Sequence, residues 1–193
     1  MTWIKTYSGL KFNYLAPLTD EVSAVDVAQA LSREQRFGGH LGVRWSVGQH
    51  TLLVRKLVEL KGGTKDQKFI ALHHDSPEAY MKDIPTPLKN LLPDYQVIYQ
   101  RVLKCVEKRF MVTLSPLDKL VEEQDKLASY IESLLFFDYH NEETDWCNFT
   151  IEDYKDLVYD SKGELDSYIR KLRGYSPDKI VAVFMNYHFK PQL

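Results

Sequence analysis

Between Phe69 and Tyr80 the chain reads FIALHHDSPEAY, a mostly apolar run of the kind that is buried, with His74, Asp75 and Glu78 set into it. Ionisable side chains in a dry interior are costly unless they are paired or hold a metal ion. Any fold for this chain must therefore bring counter-charges or further ligands to this stretch from elsewhere in the sequence. On a helix, the adjacent His74 and Asp75 project about 100° apart, close enough to grip one cation. Glu78 follows His74 by four positions and Asp75 by three, so it overhangs the same face. One helical turn thus offers an imidazole, a hard carboxylate and a spare carboxylate. A solvated helix face is the plain alternative, and the apolar surroundings argue against it.

Helical patterning dominates the rest of the chain. Residues 1–22, with Tyr7-Ser8-Gly9 and Ala16-Pro17, predict an extended lead or a short hairpin. A helix is expected from Ser23 to Ser32, with Ser23 as N-cap and Asp26 favouring the positive end of the helix. RFGGHLG (36–42) breaks it, and a second helix starts near Ser46 with Val47, His50, Val54 and Leu57 on one face. The sequence Lys61-Gly62-Gly63-Thr64 ends that helix. The motif helix then begins near Asp66, whose carboxylate can cap it. Pro77 falls inside the motif helix and opposes the His73 carbonyl, which predicts a kink beside His74. Ile84-Pro85-Thr86-Pro87 predicts a loop. Helices follow over 94–111 and 116–138, the latter with Ser115 as N-cap and Pro116 at N1. The stretch 139–149 is polar and loop-like; further helices fit 150–158, 161–173 and the segment after Ser176-Pro177. The expected class is all-α. A chain of 193 residues with no internal repeat or change of composition is read as one domain over 1–193.

A formal net charge of −2 gives no polybasic footprint for a nucleic acid polymer or an anionic membrane. Cys105 and Cys147 form neither a CxxC pair nor a disulfide framework and read as thiols in a reducing compartment. The opening MTWIKTYSG has no long apolar stretch, and no later run has the length of a membrane span. A cytoplasmic location is the expectation.

Further ligands have to come from other helices. His50 lies on the apolar stripe of the preceding helix, where a lone histidine is ordinarily a core residue. Asp125, in VEEQDKLASYIESLL, follows the period of Leu117, Val121, Leu127 and Ile131 imperfectly and alone would read as a solvated acid. Together with His74 and Asp75 they make two imidazoles and two carboxylates on three helices. Such a set leaves positions open for water and a phosphate oxygen. It suits Mn, Co, Fe, Ni or Zn, and Mg less well.

The pattern H…HD…D formed by His50, His74-Asp75 and Asp125 resembles that of the HD-domain metal-dependent phosphohydrolases. Within that family it is most similar to the small YfbR-type nucleotidases, the phage DatZ-type dATP triphosphohydrolases and the HD phosphohydrolase of oxetanocin A biosynthesis. DVAQALS (26–32), RFGGH (36–40), WSVGQH (45–50) and LHHDSPEAYMKDIPTPLK (72–89) carry the likeness, which covers about residues 6–135. The segment 140–193 matches nothing in it and is read as a C-terminal helical extension.

The resemblance implies a single HD-domain helical bundle in which His50, His74, Asp75 and Asp125 hold one divalent ion, Co or Mn being favoured. Glu78 and Asp75 would carry the catalysis, Glu78 by positioning or deprotonating the attacking water. Arg36 would contact the phosphate, and Phe37 would pack on the sugar and disfavour a 2′-hydroxyl. Lys89, Asp83 and His40 complete the implied substrate contacts, with His40 and His73 equally suited to standing behind the ligands. The implied activity removes phosphate from nucleoside, deoxynucleoside or analogue 5′-mono-, di- and triphosphates down to the nucleoside. One-step release of tripolyphosphate from a dNTP such as dATP is the alternative, and a non-catalytic, metal-stapled nucleotide-binding module is a second. The implied partner is a small nucleotide rather than a nucleic acid polymer or a membrane, with a homodimer left open.

Overall fold

A short hairpin opens the chain. β1 (Trp3–Lys5) pairs antiparallel with β2 (Lys11–Asn13), Ile4 facing Phe12, in the computed structural model, which describes residues 1–137 and 148–193. Phe12 is fully buried and stacks on Tyr80, with ring centroids 4.0 Å apart. The Tyr14 hydroxyl donates to the Tyr80 carbonyl at 2.7 Å. The rest of the described chain is helices and connections, so the class is all-α.

α1 (Ala24–Leu31) begins after Ser23, as the sequence predicts, but the Ser23 side chain makes no capping bond. Asp26 is spent differently from the expectation. Its carboxylate accepts the Ser8 N–H at 2.6 Å and the Ser8 hydroxyl at 2.7 Å, tying the hairpin turn to α1. α2 (Val47–Leu60) starts at Ser46 with a reciprocal capping box to Gln49. Sequence patterning assigns α2 one apolar face, yet Val47 to Val58 are all buried. The reason is that α1, α3 (Lys65–His73), α7 (Lys119–Phe136), α9 (Glu164–Arg173) and α10 (Pro177–Phe189) surround it. Its polar groups are met inside: the Gln49 amide donates to the Leu172 carbonyl at 2.7 Å.

Other boundaries shift for identifiable reasons. Thr64 rather than Asp66 caps α3, through a capping box with Gln67. Pro77 ends the helix instead of kinking it. The Ser76 N–H turns back onto the His73 carbonyl at 2.9 Å, and α4 (Glu78–Met81) begins afresh after Pro77. Within the expected proline loop, Thr86–Lys89 form a short helix, α5, because Pro87 occupies an early helical position where its missing N–H is harmless. α6 (Pro93–Phe110) is close to expectation. α7 starts three residues late, at Asp118, whose carboxylate accepts the Leu120 and Val121 N–H groups. α8 (Ile151–Asp160), α9 and α10 match the expected C-terminal helices. The loop expected over 139–149 lies almost wholly outside the described residues, as does Cys147; Cys105 is a buried free thiol. No helix among the described residues is long and apolar enough to cross a membrane.

Gly48 sits two residues before His50, where α2 meets the end of α1 and α10. A Cβ there would lie 2.9 Å from Ile180 Cγ2 and 3.1 Å from the Ser32 nitrogen. Overpacking of this kind costs about 1–3 kcal/mol. Gly48→Ala is therefore expected to lower the midpoint of urea unfolding, and an unchanged midpoint would contradict the close approach.

Candidate metal centre

Termination of α3 places the motif residues. His74 caps the C-terminus of α3, and its Nδ1 donates to the Ala71 carbonyl at 2.8 Å, because a carbonyl can only accept. Its Nε2 is left buried with no hydrogen-bond partner among the described residues, 3.2 Å from Asp75 Oδ2 and 3.7 Å from Asp125 Oδ1. His50, fully buried on α2, is held by the same logic. Its Nδ1 lies 2.6 Å from Glu132 Oε1 and, against an ionised carboxylate, donates. Its Nε2 lies 2.9 Å from Asp125 Oδ1 and 3.6 Å from Asp75 Oδ2.

Two imidazoles anchored through Nδ1 thus aim Nε2 at one space beside Asp125. One ligand atom from each of His50, His74 and Asp125 falls within 4.8 Å of the other two, so these residues can hold a metal ion. The orphaned Nε2 of His74 fits that use, since a neutral imidazole offers its lone pair there. Asp75, the fourth expected ligand, abuts both imidazoles but stands outside this tight set of three.

The charges are tightly coupled. Burial would lower the His50 pKa and Arg36 pushes the same way, but Glu132 and Asp125 outweigh both and hold it at about 9. Burial opposes the His74 imidazolium too, yet Asp75 and Asp125 lift its pKa well above the usual histidine range. Burial would raise Asp75, but His74 and His50 bring it down to about 2. Asp125 is likewise held well below the carboxylate range, by the hydrogen bond to His50 and the charges of both imidazoles against the effect of burial. Glu78 goes the other way. Burial, then Asp75 and Asp83, push it up to about 8, against the pull of Lys89 and Arg36. One Glu78 oxygen accepts from Lys89 Nζ at 2.9 Å, and the other is buried without a partner among the described residues.

The remaining expected residues divide. Arg36 is fastened beside α2 by its own N–H on the Trp45 carbonyl at 2.9 Å. Its guanidinium donates to Glu132 at 3.1 Å, Asp83 at 3.2 Å and Ser129 at 2.8 Å. Asp83 and Lys89 therefore join the cluster through Arg36 and Glu78. Phe37, at a left-handed φ of 53°, neighbours the Arg36 guanidinium at 5.2 Å and meets Phe137 edge-on at 5.3 Å. The His40 side chain is exposed and makes no hydrogen bond or ion pair to a described residue. His73 faces away: its Nδ1 meets Ser76, its Nε2 lies 3.0 Å from His188 Nδ1, and its ring stacks on Phe110.

Glu132 was not singled out from the sequence, although it binds both His50 and Arg36. The available signal was its spacing: Asp125, Ser129 and Glu132 fall at i, i+4 and i+7, one stripe of α7. A separate groove of about 370 Å³ lies by the hairpin, lined by residues that include Lys5, Tyr7, Gln29 and Arg33, and holds none of the metal-ligand set.

Two expectations follow from the protonated imidazoles. A divalent ion requires them neutral, so binding should tighten as pH rises towards about 9 and should release protons. Calorimetric titrations in buffers of different ionisation enthalpy check this, and a pH-independent affinity would contradict it. Glu132→Gln should weaken divalent-ion binding by about 10–100-fold, because the carboxylate that orients His50 is lost.

No family model matches the chain. A stretch of 110 residues is 40% identical to the uncharacterized protein YfdR of Escherichia coli, covering 57% of this chain and 59% of that protein. A stretch of 139 residues is 27% identical to an uncharacterized protein of Rhodobacter capsulatus, covering 68% of this chain and 71% of the relative. The match thus spans about three fifths of the Escherichia coli protein, and neither relative's name carries an activity.

Proposed function

We propose that the chain is a metal-dependent phosphohydrolase of the HD-domain kind. Its substrates would be nucleoside, deoxynucleoside or analogue 5′-phosphates, which it dephosphorylates to the nucleoside. The observation that carries this reading is Glu78. It is a buried carboxylate raised to about 8, with one oxygen held by Lys89 and the other uncommitted, next to a convergent His/Asp set. A metal staple without chemistry has no need of such a group, whereas a general base is useful when its pKa lies near the working pH.

His50, His74 and Asp125, with Asp75 as the fourth, would hold the ion. A divalent ion bound there supplies a water of lowered pKa and polarises a phosphoryl oxygen. The uncommitted oxygen of Glu78 takes the proton from the attacking water and returns it to the departing alcohol oxygen. Lys89 fixes Glu78 from behind and offers its remaining N–H donors to phosphate. Arg36 holds Glu132 and Asp83 in place, lowering the Glu132 pKa and opposing the burial that raises Asp83. Two of its five N–H groups make no bond to a described residue and can meet an anion. Phe37, held against Phe137, supplies a rigid wall suited to excluding a 2′-hydroxyl.

Glu78→Gln should keep divalent-ion affinity and lose hydrolysis of a deoxynucleoside monophosphate by about 10²–10⁴-fold. His74→Ala should lose the ion. A Glu78→Gln protein with the wild-type rate would remove Glu78 from the chemistry, and a wild-type protein that binds the ion but hydrolyses no nucleotide would leave a binding module. Phe37→Ala should raise the ribonucleotide rate relative to the deoxynucleotide rate, and an unchanged ratio would reduce Phe37 to packing. Phosphorus NMR of a triphosphate digest should show orthophosphate with transient di- and monophosphate. Tripolyphosphate as the sole early product would instead assign one-step cleavage.

A further inference from the structure

Two tyrosines one turn apart on α6, Tyr95 and Tyr99, border the cluster from the side of Lys89. Their rings stack, with centroids 6.0 Å apart and 29° between planes. The Tyr95 hydroxyl lies within 3.4 Å of the Met81 and Lys82 carbonyls, which pins the pair against the segment that carries Glu78. Lys89 Nζ, while bonded to Glu78, lies 5.8 Å from the Tyr99 ring centroid. Tyr99 is partly buried, yet its hydroxyl makes no hydrogen bond to any described residue.

Resting on the phosphohydrolase reading above, we propose that Tyr99 is a substrate contact whose hydroxyl donates a hydrogen bond to an oxygen of the bound phosphoryl group. The site's donors support this assignment. Arg36 already spends three N–H groups on Glu132, Asp83 and Ser129. Lys89 spends one on Glu78. The Tyr99 hydroxyl is wholly uncommitted. Burial raises its pKa well above the ordinary tyrosine value, and the nearby charges of Glu78, Asp75 and Asp125 raise it further. It therefore stays protonated and acts as a donor. Asp75 and Asp125 face His50 and His74, and one Glu78 oxygen accepts from Lys89. The other Glu78 oxygen makes no hydrogen bond with the Tyr99 hydroxyl, so the acceptor within its reach is one that an incoming phosphate brings.

Inorganic phosphate is the probe, titrated calorimetrically into Mn-loaded wild-type, Tyr99→Phe and Tyr95→Phe proteins after Mn affinity has been measured for each. The expected result is wild-type Mn affinity in both variants, phosphate binding about tenfold weaker in Tyr99→Phe, and phosphate binding near wild type in Tyr95→Phe. Undiminished phosphate binding in Tyr99→Phe overturns the contact and leaves the phosphohydrolase reading intact. An equal loss in Tyr95→Phe, or a parallel loss of Mn in Tyr99→Phe, assigns the effect to packing and also overturns it. Wild-type protein that binds neither Mn nor phosphate overturns the phosphohydrolase reading and this contact with it.

Discussion

At the centre of the bundle the His50 imidazole is gripped from both ends, by Glu132 at Nδ1 and by Asp125 at Nε2, with no surface open to water. Two acids so close would repel each other, and the wholly buried Glu132 depends on the ring between them. Glu132 then holds Arg36, Arg36 holds Asp83, and His74 faces both Asp125 and Asp75. The cluster thus gathers five acids, Asp75, Glu78, Asp83, Asp125 and Glu132, around two permanent cations, Arg36 and Lys89. The missing positive charge comes from protons on His50 and His74, and the proton on Glu78 removes one negative charge more. A divalent ion carries the same charge as the two imidazolium protons it would displace. Exchanging one for the other leaves the interior electrically balanced, which removes the main penalty for burying so many acids.

The fold supplies what this arrangement demands. α2 is enclosed on all sides, so the ring of His50 cannot relax towards solvent. α7 presents Asp125, Ser129 and Glu132 along one stripe. The break at Pro77 separates His74 on α3 from Glu78 on α4, so ligand and base rest on different helices with different neighbours. α4 is in turn buttressed by the hairpin through Phe12 and Tyr14. Two independently supported helices therefore meet at a four-residue spacing in sequence.

Much of this was legible in the chain itself. Cap residues located the starts of α2 and α10, where Ser46 and Ser176 accept backbone N–H groups, and Ser23 marked the start of α1 although its side chain makes no capping bond. The proline segments were harder. Whether Pro77 kinks or ends a helix depends on where the His73 carbonyl finds a donor, and Ser76 provides it. The full burial of α2 was hidden because its Arg55 and Lys56 look solvated until Tyr187, Glu59 and Glu164 are brought against them. His40 follows the left-handed Gly38-Gly39 turn and its side chain is exposed. Glu132 and Tyr99 escaped notice because each matters only through tertiary neighbours, and a lone Glu or Tyr on an amphipathic helix carries no mark of that.

His73 turns its back on the ion site and meets His188 and Phe184 of α10, while α9 receives the Gln49 amide of α2. The family resemblance read from the sequence covers about residues 6–135, but the folding unit runs past it. Leu165, Leu172, Ile180 and Phe184, all essentially inaccessible, belong to the same apolar core as Leu52, Leu53 and Leu57. A fragment cut after α7 would keep every residue of the His/Asp cluster and still bare one flank of the helix on which His50 stands. Borders drawn by sequence similarity and borders drawn by core continuity therefore fall in different places in this protein. Any chimera or truncation built around the cluster has to respect the second.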